Sequence, residues 1–209
     1  MDIGKSFTFV FDDEKWLQKV LLGGLMVLLS VIPLVNIFTL LVVAGYSVRT
    51  LKNVADGQKT PLPEWDDWGG DWVKGALTVL ASIIYSLPSM LVSGLSAILV
   101  SVAENAGSDT ASVMGICTAG LSCLSALWGL LVYVVFPSAM IKFATEGGFG
   151  SFFKFGDIFR FIKENLSNYI VAVLLTLVAN IVSVFGVILC VIGVFATSFW
   201  ASLVSAHLL

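Results

Sequence analysis

Charge is what this sequence has least of. Only 12% of its 209 residues are Asp, Glu, Lys or Arg, against about a quarter in ordinary globular domains, so a soluble surface cannot be assembled from it. The charges leave four long gaps: Lys19 to Arg49, Lys74 to Glu104, Asp109 to Lys142, and everything after Glu164. Filled with Leu, Val, Ile, Ala and Gly, these gaps exceed the roughly 18–20 apolar residues that cross a bilayer. With 58% hydrophobic residues and a mean hydropathy of +0.99, the chain reads as an all-α, polytopic transmembrane helical bundle. A net charge of -3 without a basic stripe excludes nucleic acid as an expected partner.

Other absences narrow the chemistry. Cys117, Cys123 and Cys190 are odd in number and sit inside apolar runs, where thiols behave as small hydrophobes rather than a disulfide framework. The lone histidine, His207, lies near the C-terminus, where a structural role is commoner than a catalytic one. No Ser-His-Asp set, His-rich metal cluster or glycine-rich phosphate loop stands in a credible context. No catalytic, metal or cofactor residue is therefore nominated, and no enzymatic activity is expected. The gaps hold no carboxylate or arginine of the kind that marks an intramembrane ion path. Asp2, Asp12, Asp13 and Glu14 precede the first apolar run, unlike a cleaved signal peptide.

Trp72–Val102 and Ala111–Ile141 each predict one long helix, with Pro88 and Pro137 as points of bending and the excess length absorbed by tilt. Gly94, Gly115, Gly120 and Gly129 are expected to let neighbouring helices approach closely. Residues 165–209 are too many for one span, and a break at Phe185-Gly186 makes two. In Lys19–Arg49, Pro33 either kinks a single helix or marks the turn of a hairpin. Lys and Arg concentrate in 49–74 and 142–163, while the loop holding Glu104 and Asp109 has none. Basic short loops stay cytoplasmic, so both ends are expected in the cytoplasm and about six spans follow. Two helices within Lys19–Arg49 would each reach only about 25 Å, so a re-entrant hairpin and a five-span chain with one kinked helix remain alternatives. Trp16, Pro33 and Tyr46 align at one offset with Tyr169, Gly186 and Phe199, suggesting repeat-like halves around 7–53 and 152–206 within a single membrane domain.

Two polar boxes hold the candidate site residues. In Pro61–Trp72, Trp65, Trp68 and Trp72 recur at helical spacing, which predicts a short surface helix weakened by Gly69-Gly70. These indoles either anchor the next span at headgroup level or form a docking surface with Asp66 and Asp67. In 149–164, Phe152, Phe155 and Phe159 share a face with Ile162, which predicts an amphipathic helix in the interface. Within the spans, Asn36 and Asn180 are candidates for interhelical hydrogen bonds, and Pro33 and Gly186 for helix breaks.

The Phe-x-Phe opening with Asp12-Asp13-Glu14-Lys15-Trp16, the Ile32-Pro33-Leu34-Val35 break, Gly45-Tyr46 and Pro61-Leu62-Pro63-Glu64-Trp65-Asp66-Asp67-Trp68-Gly69 form a recognisable set. Together with the Leu203-Val204-Ser205-Ala206-His207-Leu208 ending, the chain resembles the prokaryotic multi-pass membrane proteins of domain-of-unknown-function family 4013 over nearly its whole length. Asn36 departs from the small or apolar residue expected there. The resemblance implies cell-membrane residence and transfers no catalytic role. The expected function is a non-enzymatic accessory or scaffold protein, in contact with membrane lipids and a membrane-protein partner or a second copy. The alternative is a transporter, channel or lipid-handling protein for an apolar substrate.

Overall fold

The computed structural model describes residues 3–105, 107–184 and 192–208. Every regular element among them is helical. In chain order they are α1 (Ile3–Thr8), α2 (Trp16–Leu29), α3 (Val35–Ala55), α4 (Trp68–Ala103), α5 (Ser108–Glu146), α6 (Phe155–Glu164), α7 (Leu166–Val184) and α8 (Ile192–Leu208), with 3-10 turns at Phe9–Asp12 and Phe149–Phe153. Three segments are long and apolar enough to cross a membrane: Trp68–Ala103, Ser108–Glu146 and Leu166–Ser183. The protein is thus an all-α, multi-span helical bundle. The Phe185-Gly186 break and Cys190 lie outside the described residues.

Pro33 marks a turn and not a kink. Helix α2 stops at Leu29 and α3 starts at Val35, with Leu34 between them in a left-handed conformation (φ 73°). The Asn36 amide donates to the Ser30 carbonyl at 2.6 Å, satisfying an acceptor that the end of α2 leaves free. Asn36 therefore bonds across the turn between α2 and α3. Asn180 does not bond between helices: its amide donates to Thr176 of its own helix at 2.7 Å, and the side chain is exposed. Pro88 and Pro137 both lie inside continuous helices, and α4 runs straight through Gly69-Gly70.

Two compact units divide the chain, one made of Met1–Leu80 with Pro137–Leu209, the other of Ala81–Phe136. In the first, α8 packs against α7, α2 and α3, and α2 packs against α3. Phe199, Leu203 and Val204 of α8 are fully buried, joined by Phe9, Val10 and Tyr46. The last turn is held by the N-terminus: His207 stacks on Phe9 at 4.3 Å and its Nδ1 lies 3.0 Å from the Ser6 hydroxyl. In the second unit, α4 and α5 run side by side, with the Trp128 indole N–H donating to the Tyr85 carbonyl at 2.8 Å.

Close helix contacts fall at unexpected glycines. A methyl group on Gly23 would enter the Phe199 ring, and one on Gly24 would meet the Ala196 backbone. One on Gly45 would overlap the Asp71 carbonyl, and one on Gly75 the Leu41 carbonyl. These four positions let α2 approach α8 and α3 approach α4, the small-residue packing usual in membranes. Gly94, Gly115, Gly120 and Gly129, expected to do this work, instead face open space. Gly45→Ala is expected to lower stability by about 1–3 kcal/mol through overpacking, and Gly94→Ala to leave it unchanged or slightly raised. Thermal unfolding in detergent micelles reads both, and equal melting of the two variants would count against the α3–α4 contact.

Candidate functional site

The Pro61–Trp72 box is built on an extended strap. Pro61 and Pro63 have no N–H, so this stretch cannot join a regular hydrogen-bonded element, yet Pro61, Leu62 and Pro63 are buried. Buried carbonyls need donors, and these three, together with the exposed Glu64 that follows, receive them from side chains. The Asn53 amide donates to Pro61 O at 2.9 Å, the Lys19 ammonium to Leu62 O at 2.9 Å, the Tyr46 hydroxyl to Pro63 O at 2.8 Å and the Arg49 guanidinium to Glu64 O at 2.6 Å. Tyr46, Arg49 and Asn53 are spaced three and four residues apart on α3, so helical periodicity alone aligns them along the strap.

Both cations are themselves held. Lys19 lies 2.7 Å from Asp13 and 3.2 Å from Glu64, with its side chain only 5% exposed. Arg49 donates to Asp66 at 3.0 Å and to Asp71 Oδ2 at 3.0 Å. Its Nε also lies 2.9 Å from Asp71 Oδ1, a charge contact whose N–H is not aimed at the oxygen. Hydrogen bonding from Arg49 holds the Asp66 carboxyl below its ordinary range. Of the residues that bound the first charge gap, Lys19 is therefore buried on α2 and Arg49 half-buried on α3. Neither is a solvated loop charge.

The predicted docking residues separate. Trp65 turns inward, stacking on Tyr46 at 4.0 Å and donating its indole N–H to Lys19 O at 3.2 Å. Trp68 starts α4 and donates to Trp65 O at 2.8 Å. Asp67 caps that helix, accepting from Gly70 N–H at 2.9 Å, as a residue just before a helix commonly does. Asp66 is committed to Arg49, and of the three indoles only Trp72 is classed as exposed. Of the short helix expected over Trp65–Trp72, Trp65–Asp67 end the strap in a turn and Trp68–Trp72 are the first residues of the long α4.

The Phe-rich box also splits. Phe152 is fully buried and stacks on Phe143 at 4.5 Å. Along α6 the inward stripe is Ile158 and Ile162, while Phe155 and Phe159 point outward, 47% and 52% exposed. Phe152 and Ile162 thus do not share the outward face of the other two. Lys154 joins this region to the end of α5 by donating to Glu146 at 2.8 Å, beside the Lys142–Glu146 pair within α5 at 3.4 Å, and the bond it donates raises the Lys154 pKa. Among the described residues, no group of three His, Cys, Asp or Glu is placed to hold a metal.

Residues 28–192 match a family described as "Protein of unknown function (DUF4013)". The chain belongs to this family. No curated protein and no solved structure matches it. The match takes in α3 to α7 and the whole strap, so the carbonyl clasp lies within the family region except for Lys19 and Asp13. From sequence, Lys19 and Arg49 read only as the ends of a charge gap and Tyr46 only as a repeat and family position; none of them, nor Asn53, is nominated as a site residue. Their signal was the polar i, i+3, i+7 spacing that closes α3 beside two prolines.

Arg49→Ala is expected to cost about 3–5 kcal/mol, because it strands the buried Asp71 charge and two acceptors. Tyr46→Phe is expected to cost about 1 kcal/mol for one lost hydrogen bond. Asp66→Asn, at an exposed carboxylate, is expected to change little. Unfolding followed by Trp fluorescence in micelles orders the three, and an Arg49→Ala protein as stable as wild type would refute the clasp.

Proposed function

We propose that this is a non-enzymatic integral membrane protein acting as a scaffold through helix packing, with its exposed glycine faces as the contact. One observation carries the reading. Gly94, Gly115, Gly120 and Gly129 meet nothing within 4 Å of a built Cβ, although glycines elsewhere in the same chain bring helices into contact. Small residues on span-length helices serve close approach, and here the contacting helix belongs to another chain, a partner protein or a second copy. Trp72, Phe155 and Phe159, exposed at the span ends, extend the contact, with the α6 face lying in the lipid interface. A cleft of about 330 Å³ between α4 and α5, lined by Ser93, Ser96, Ser122 and Ser125, supports the alternative of a lipid-handling or transport role.

Both ends lie in the cytoplasm on this reading, and six helices enter the bilayer. Four cross it, and α2–α3 enters and returns. Support comes from length and from the tip. The 14 residues of α2 extend about 21 Å, short of the roughly 30 Å hydrocarbon core, and the turn is apolar and bare, with Leu34 84% and Val31 68% exposed. The chain forms one membrane domain with repeat-like halves, α2–α3 and α7–α8, whose equivalent residues Tyr46 and Phe199 lie 5.6 Å apart.

Cysteines introduced at Gly94 and Gly120 in a background lacking the native thiols are expected to crosslink to a second chain in native membranes. A band at twice the monomer mass identifies a second copy, and a different mass a partner. A monomer throughout, also in mild detergent, overturns the scaffold reading. A thiol at Leu34 is expected to resist impermeant maleimide from both faces, whereas one at Asp109 reacts from outside. Labelling of Leu34→Cys from outside would make α2–α3 a full crossing.

A further inference from the structure

A second site lies where α3, α4 and α5 end together. A cavity of about 110 Å³ is lined by Arg49, Lys52, Lys74, Val48, Phe143 and Gly147. With Ala144, seven residues line it, of which three are cations and none is a carboxylate. Val48 and Phe143 are buried and form an apolar floor. Gly147, with φ 79°, ends α5 in the left-handed conformation that favours glycine and leaves no side chain over the opening.

The charge balance is positive. Arg49 is satisfied by Asp66 and Asp71, and the neighbouring Glu146 is taken by Lys142 and Lys154. Among the described residues, neither Lys52 nor Lys74 has a carboxylate within ion-pair distance. The carbonyls ending α5 contribute roughly half a negative charge, less than two ammonium groups supply. Water occupies about 30 Å³ per molecule, so the cavity has room for a few waters or one tetrahedral anion. Its depth is set by the spans: Lys74 follows the exposed Trp72 at the start of α4, and Gly147 follows the last residue of α5. Both are ends of span-length helices, where lipid headgroups lie.

We propose that Lys52 and Lys74, with Arg49 behind them, form a site for a phosphate group, supplied by the headgroup of an anionic lipid or by free phosphate. Basic pockets between spans at headgroup level are suited to this ligand. The proposal uses only the membrane placement of α4 and α5 and stands apart from the scaffold reading, since it needs no second chain.

The test uses the full chain in maltoside micelles with equal amounts of dioleoyl phosphatidylglycerol and dioleoyl phosphatidylcholine, and native mass spectrometry counts the lipid retained. Wild type is expected to keep phosphatidylglycerol in preference, Lys52→Gln/Lys74→Gln to lose about tenfold of that preference, and Lys52→Arg/Lys74→Arg to keep it. A parallel arm adds millimolar inorganic phosphate to wild type without the anionic lipid and follows melting. A rise there that the Gln pair abolishes, without a lipid preference, identifies the free anion as the source. Phosphate displacing phosphatidylglycerol from wild type reads the site without any variant, so a Gln pair that fails to fold leaves a decisive measurement. Retention of the wild-type preference by a folded Gln pair overturns the proposal. So does a wild type that responds to neither the lipid nor phosphate.

Discussion

The structure depends on giving donors to four carbonyls that cannot find them in their own backbone. The strap from Pro61 to Glu64 must run over the ends of α2 and α3, because 12 residues separate α3 from α4 and the two helices meet at Gly45 and Gly75. Its prolines prevent it from curling into a helix, so its acceptors face the protein unsatisfied. An unpaired buried carbonyl costs about 1–3 kcal/mol, and the three at Pro61, Leu62 and Pro63 together would undo the packing of a marginally stable domain. Asn53, Lys19, Tyr46 and Arg49 remove that cost by reaching out from two helices at once. The same four side chains thereby tie the first helix pair to the start of the long α4.

That arrangement explains why the ends of the charge gaps are not ordinary loop charges. A cation drawn in from water to serve as a donor loses part of its hydration, and a desolvated cation needs a counter-charge. Lys19 has Asp13, six residues earlier, and Arg49 has Asp71 across the strap. Lys19 and Arg49 remain the residues that bound the first charge gap. Their chemistry, however, is spent within the fold, as is that of Asp66, Asp67 and Trp65.

Helices and turns were legible because their signals are local. Pro33 announces a break, though not whether it is a kink or a turn, and the charge-free runs announce α4, α5 and α7. What was illegible needed knowledge of neighbours. Helical spacing puts Phe155 and Phe159 on one face of α6, and Ile158 and Ile162 on another; periodicity sees two apolar stripes and cannot say which the protein covers. Trp65 looked like an interfacial indole because its ring suits either a headgroup or a stacked Tyr46, and only the strap's path decides. The glycines failed similarly. Gly23 and Gly45 stand in contact because Phe199 and Asp71 come to them, a fact written some 176 and 26 residues away in the chain.

This contrast gives the open glycines their meaning. A glycine inside a helix costs about 1 kcal/mol relative to alanine, a cost offset at Gly23, Gly24, Gly45 and Gly75 by helix contact within the chain. At Gly94, Gly115, Gly120 and Gly129 nothing within the chain offsets it, and all four lie in the unit formed by Ala81–Phe136. The rest of the chain has its own core around α8, its own clasp and its own ion pairs. Among the described residues of 81–136 the buried apolar side chains are Ala81, Tyr85 and Val135, and Leu91, Ile98, Ile116, Leu124 and Leu127 are exposed. Lipid can cover leucine and isoleucine at no loss, but it gains nothing from a glycine. A helix surface from outside the chain gains close approach there, which is the physical reason for reading this unit as the part of the protein that meets others.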